Sequence, residues 1–94
     1  MSTVAAQSAT VTAYAASTTS GTMLAAGGSR KAWIVVNSTA AIAYLRFGSG
    51  AASATDFSVS IAVGGYYECP QPVYGGQVTA ILASGTGKLL VTSW

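Results

Sequence analysis

Short apolar runs rich in β-branched and aromatic residues are separated about every eight to twelve residues by clusters of Gly, Ser, Thr and Asn. This punctuation limits what the chain can fold into. No segment repeats apolar residues at helical spacing beside a polar face, and the strong helix formers Glu, Lys, Arg and Gln are scarce. Strands this short bury a core only by packing sheet on sheet. The expected fold is therefore all-β: a single small antiparallel β-sandwich or barrel, jelly-roll-like, with about six to eight short strands. Ninety-four residues leave room for one domain. Residues 1–20 are expected as an extended arm or a weak first strand, and residues 21–94 as the sandwich.

The strand runs differ in what they bury. In "QSATVTAYAAS", 7–17, Val11 and Ala13 face one way and Thr10, Thr12 and Tyr14 the other. "GTMLAA", 21–26, is a second short strand. "RKAWIVVN", 30–37, is apolar on both faces, as in a strand that is central in a sandwich or covered by a partner. "AAIAYLRFG", 40–48, puts Ala41, Ala43, Leu45 and Phe47 on one face and Ile42, Tyr44 and Arg46 on the other; a turn at Asn37 to Thr39 predicts a hairpin between these two strands. The loop "GSGAASAT", 48–55, is low in complexity and expected to be mobile. "DFSVSIAV", 56–63, alternates, with Phe57, Val59, Ile61 and Val63 inward. "YYEC", 66–69, is stopped by Pro70 and Pro72. "GGQVTAILAS", 75–84, and "GKLLVTSW", 87–94, are expected to close the chain as a hairpin around Ser84 to Gly87.

Charged residues are only 6% of the chain, where an ordinary soluble domain carries roughly 25%. The acids are Asp56 and Glu68, the bases Arg30, Lys31, Arg46 and Lys88. A net charge of +2 without clustering leaves no nucleic-acid footprint. The 51% hydrophobic content is largely alanine, eighteen residues, and serine and threonine add twenty-three, so the surface is an almost uncharged carpet of small residues. A freely diffusing monomer ordinarily carries more charge, and this one is suited to life packed against others. No apolar run approaches the ~20 residues that span a bilayer, the first residues lack a signal peptide's basic and apolar regions, and a single cysteine allows no internal disulfide framework. Synthesis and folding in a cytoplasm, with no membrane partner, are expected.

Catalytic chemistry has little to work with. There is no histidine, which removes a member from Ser-His and Cys-His machinery and from the commonest metal sites. Asp56 and Glu68 could form an acid and base pair, but the stronger reading is a turn-capping Asp and a Glu paired with Arg46 or Lys88. Cys69 has no basic neighbour in sequence to activate it and reads as a small buried hydrophobe. The pairs Gly27-Gly28, Gly64-Gly65 and Gly75-Gly76 precede no helix, so they are turns rather than phosphate loops. No catalytic residue, metal ligand or cofactor is expected. Trp33 and Phe47 belong to the core. Tyr66 and Tyr67 are adjacent, so one points in and the other out, and amphipathic tyrosines beside arginine suit a protein interface. The candidate interface residues are Arg30, Lys31, Tyr44, Arg46, Tyr66, Tyr67, Glu68 and Tyr74.

One further pattern runs from the basic pair Arg30-Lys31 into an apolar strand ending "VNS", 36–38. It continues through "LRFG", 45–48, an Ala/Ser/Thr loop, "DFSVSIA", 56–62, "GGYYECP", 64–70, and a closing strand containing "VT". Over about residues 30–93 this resembles a recurrent small β protein of tailed bacteriophages. The resemblance implies a virion structural protein made in the bacterial host's cytoplasm, a capsid decoration or cement protein whose partners are the major capsid protein or other virion proteins. It implies no catalytic residue. A homo-oligomer, with a homotrimer favoured at a lattice threefold, fits that role. The first twenty residues could be an arm that orders only on a neighbour. Two alternatives stay open: a neck, tail or fibre component, and a small carbohydrate- or cell-surface-binding module, although few polar partners accompany the aromatic residues.

Overall fold

A computed structural model of the chain describes residues 8–94. Among them are eight strands and no helix: β1 (Thr10–Ala16), β2 (Gly21–Leu24), β3 (Trp33–Asn37), β4 (Ala43–Phe47), β5 (Val59–Ile61), β6 (Tyr66–Glu68), β7 (Val78–Leu82) and β8 (Gly87–Ser93). They make two four-stranded antiparallel sheets, in the order β1-β8-β3-β6 and β2-β7-β4-β5. The pairs β1 with β8, β2 with β7, β3 with β6 and β4 with β5 are nested. The chain is thus a long two-stranded ribbon folded back at the β4–β5 connection and wrapped so that successive strand pairs fall in alternate sheets. That is the jelly-roll wrapping of a small β-sandwich.

The nesting overturns both expected hairpins. β3 and β4 lie in opposite sheets, and so do β7 and β8. The turns at Asn37 to Thr39 and Ser84 to Gly87 are corners that carry the chain from one sheet to the other. Consecutive strands usually pair, but here β4 and β5 are the sole consecutive neighbours. Gly85, at φ +67°, and Gly64, at φ +77°, supply the left-handed backbone at the β7–β8 and β5–β6 corners. The arm-or-strand segment 1–20 contains β1 and, over Thr10–Ala16, a full ladder to β8; residues 1–7 lie outside the described residues.

Alternation correctly assigns most faces. Trp33, Val35, Leu89 and Val91 from one sheet meet Ala43, Leu45, Ile61, Val78, Ala80 and Leu82 from the other, all buried. At one end of β3 the fully buried Trp33 ring packs edge-on to Phe47 at 5.8 Å and lies 5.6 Å from Tyr67, while Tyr74 stacks on Phe47 at 4.8 Å. Cys69 is buried beside this cluster, its backbone N–H bonded to Trp33 O at 3.0 Å. At the other end of β3 stands Asn37, also fully buried. Its amide donates to Ala41 O at 2.8 Å and Ile61 O at 3.0 Å. Its Oδ1 accepts from Thr39 N at 3.0 Å and Thr39 Oγ1 at 2.7 Å. One side chain thereby holds the β3–β4 corner to the end of β5.

In "DFSVSIAV" the expected inward set is half right. Ile61 is buried and Val59 half-buried, but Phe57 and Val63 are exposed, because pairing with β4 lasts only over Val59–Ile61. Beyond those three residues nothing holds the period-two alternation.

Candidate functional site

The eight candidate interface residues divide by what they touch. Arg30 is a clamp: its guanidinium donates to Ala25 O at 2.8 Å, Gly76 O at 2.5 Å and Tyr74 O at 3.3 Å, tying the β2–β3 loop to the β6–β7 loop. Tyr67 and Tyr74 belong to the aromatic cluster around Trp33. Burial raises the phenol pKa of Tyr67, with the nearby Cys69 adding to the effect, and burial likewise raises that of Tyr14. Tyr44 packs against Phe57 at 4.9 Å. Arg46 Nε lies 3.2 Å from Asp56 Oδ2, a pair between a half-buried arginine and an exposed aspartate, worth about 0–1 kcal/mol. Glu68 therefore has neither of its expected partners; Asp56 takes Arg46 instead. Lys31, Tyr66 and Glu68 are exposed.

These contacts make the outer faces of the two sheets unequal. On the outer face of β2-β7-β4-β5, the β4–β5 loop folds back over its own sheet. Thr79 Oγ1 donates to Gly50 O at 2.7 Å, and Ala52 is buried with its N–H bonded to Ser20 Oγ at 2.9 Å. Asp56 and Phe57 then cover Arg46 and Tyr44. The loop expected to be mobile is instead pinned across the sheet by polar and aromatic contacts.

On the outer face of β1-β8-β3-β6, no described segment does the same. Residues directly opposite in a ladder share a face, so the registers lay out its rows. One row is Val11, Thr92, Ile34 and Glu68. The next is Ala13, Leu90, Val36 and Tyr66, apolar or aromatic on all four strands. A third begins with Ala15 and Lys88. Tyr66 is 71% exposed, Val11 68% and Leu90 37%. An isolated exposed aliphatic residue needs no explanation, but a contiguous sheet face of them marks a contact surface.

The sequence marks Tyr66 and Glu68 on this face and, through the doubly apolar "RKAWIVVN", a strand central or covered by a partner, but it does not mark Val11, Ala13 or Leu90. The usable signal was failed alternation: "WIVV" and "LLV" place apolar residues on both faces of β3 and β8. The other exposed ring, Phe57, is on the opposite sheet from Tyr66, so the two form no common stacking platform. Among the described residues no group of three His, Cys, Asp or Glu side chains is placed to hold a metal. No family model, curated protein or solved structure matches the chain.

Proposed function

We propose that this chain is a non-enzymatic structural protein of a bacteriophage virion, a decoration or cement protein that binds the capsid lattice and stabilises the head. The apolar face of β1-β8-β3-β6, which no described segment covers, carries this reading, since a chain with six formal charges has little else to keep such a face solvated as a free monomer. The resemblance of residues 30–93 to small phage β proteins supplies the setting. Many adjacent copies need only modest affinity each, which a small flat patch supplies. The jelly roll by itself argues for no function, because the same wrapping serves lectins and enzymes as well as capsids.

The test is the abundance of the chain in purified virions, counted against the major capsid protein by quantitative mass spectrometry. A count comparable to the capsid protein, or about a third of it, is the expected result for lattice decoration. About a dozen copies would instead place the chain at the neck, tail or fibres, and absence from particles would overturn the reading.

The adjacent tyrosines give a second check. Tyr66→Ala removes an exposed ring and is expected to shift stability by no more than about 0.5 kcal/mol while weakening attachment to particles. Tyr67→Ala takes a ring from the Trp33 cluster and is expected to cost about 2–4 kcal/mol. Chemical denaturation and a particle-binding assay on both variants separate the two roles.

A further inference from the structure

The bare face carries two charges, placed in a way its apolar rows do not require. Glu68 stands on β6, one strand from Val36 and one row to one side; Lys88 stands on β8, one strand from Val36 the other way and one row to the other side. At ideal strand spacing both lie about 8 Å from Val36, in opposite directions along one diagonal. Neither has an ion-pair partner among the described residues, where Arg46–Asp56 is the one salt bridge.

We infer that a second copy of this chain packs on this face, related by a two-fold axis that lies in the plane of contact. Let the axis pass over Val36, perpendicular to the Glu68–Lys88 diagonal. Rotation then carries Glu68 of each copy onto Lys88 of the other, forming two equivalent ion pairs at opposite corners. With strands about 4.8 Å apart and same-face neighbours about 6.8 Å apart, the same axis runs over Val11, so the most exposed aliphatic residue of the row meets its own equivalent. Self-complementarity of one patch is what an isologous two-fold interface requires. A threefold does not return Glu68 to Lys88 in this way, so this face makes a dimer rather than the trimer that a lattice setting suggests.

The patch measures roughly 20 Å by 20 Å, so a dimer buries roughly 800 Å² in total, below the 1,200–2,000 Å² of standard stable complexes. Self-association is therefore weak in dilute solution, and it competes with attachment to the lattice for the same face.

Sedimentation equilibrium up to about 1 mM protein tests the inference with four chains: wild type, Glu68→Lys, Lys88→Glu, and the double reversal. The substituted side chains are on the surface, and far-UV circular dichroism checks that each variant folds. Wild type is expected to dimerise. Each single reversal sets like charges opposite one another twice per dimer and should weaken association about tenfold or more; the double reversal should restore it to within about threefold. A wild-type chain that stays monomeric overturns the inference, and so do single reversals without effect or a double reversal that fails to rescue. The inference rests on reading this face as a contact surface, yet the two fail separately. A monomer abundant in virions would overturn self-association alone, while a dimer with no copies in virions would overturn the virion assignment alone.

Discussion

Trp33→Ala is expected to destabilise the fold by about 3–5 kcal/mol, the largest loss from any single side chain here. The ring is fully buried, touches both Phe47 and Tyr67, and supports the stacked Phe47–Tyr74 pair behind it. A domain of this size has little stability to spare, so the variant should be largely unfolded at 37 °C. Urea denaturation followed by tyrosine fluorescence and circular dichroism measures the loss. Trp33→Phe is the informative companion. It gives up the indole N–H bond to Tyr74 O at 3.3 Å, but that carbonyl still accepts from Arg30 Nε, so no buried acceptor is stranded. A loss of about 1–2 kcal/mol is expected for it. If the two variants were equally unstable, the hydrogen bond rather than the packed ring would be the important feature.

Asn37→Ala is expected to cost about 3–4 kcal/mol although it removes few atoms. Truncation leaves the carbonyls of Ala41 and Ile61 without this donor, and the N–H and hydroxyl of Thr39 without this acceptor, in a site closed to water. Each buried group left unpaired costs about 1–3 kcal/mol, partly recovered where Thr39 Oγ1 keeps its bond to Ala41 O. Asn37→Leu fills the volume and strands the same groups, so it should be no more stable than Asn37→Ala. Recovery in the leucine variant would show that the corner needs bulk rather than hydrogen bonds. Amide exchange should also rise at Thr39, since the Asn37 side chain accepts its N–H bond.

The strands were legible because their cause is local. Alternation in "AIAYLRF" puts Ala41, Ala43, Leu45 and Phe47 on one face, which the structure turns inward, and the adjacency of Tyr66 and Tyr67 requires one ring in and one out. Where the assignment failed, at Phe57 and Val63, the ladder had already ended and the periodicity had nothing to act on. The contact face was only half legible. Tyr66 and Glu68 attracted attention as chemistry-bearing residues. Val36, Leu90 and Val11 are ordinary strand residues until the register sets them side by side.

Charge showed the same limit. The sequence offers Arg46 or Lys88 as the partner of Glu68, as the alternative to a catalytic carboxylate pair. Arg46 went to Asp56 because the β4–β5 loop folds back over its own sheet, a contact that no spacing in "GSGAASATDF" discloses.

By itself, then, the sequence determined that this chain is all-β, roughly where along it the strands lie, and which side of most of them is apolar, because backbone preference and side-chain alternation act within a few residues. Only the tertiary structure decided which strand lies beside which, that β3 and β8 sit together in the middle of one sheet, and that one outer face is roofed by a loop while no described segment covers the other. Those outcomes come from wrapping a folded ribbon into two sheets, where each strand meets a partner tens of residues away. Pairing energies over such distances depend on how all eight strands pack at once, and no short stretch of the chain records them.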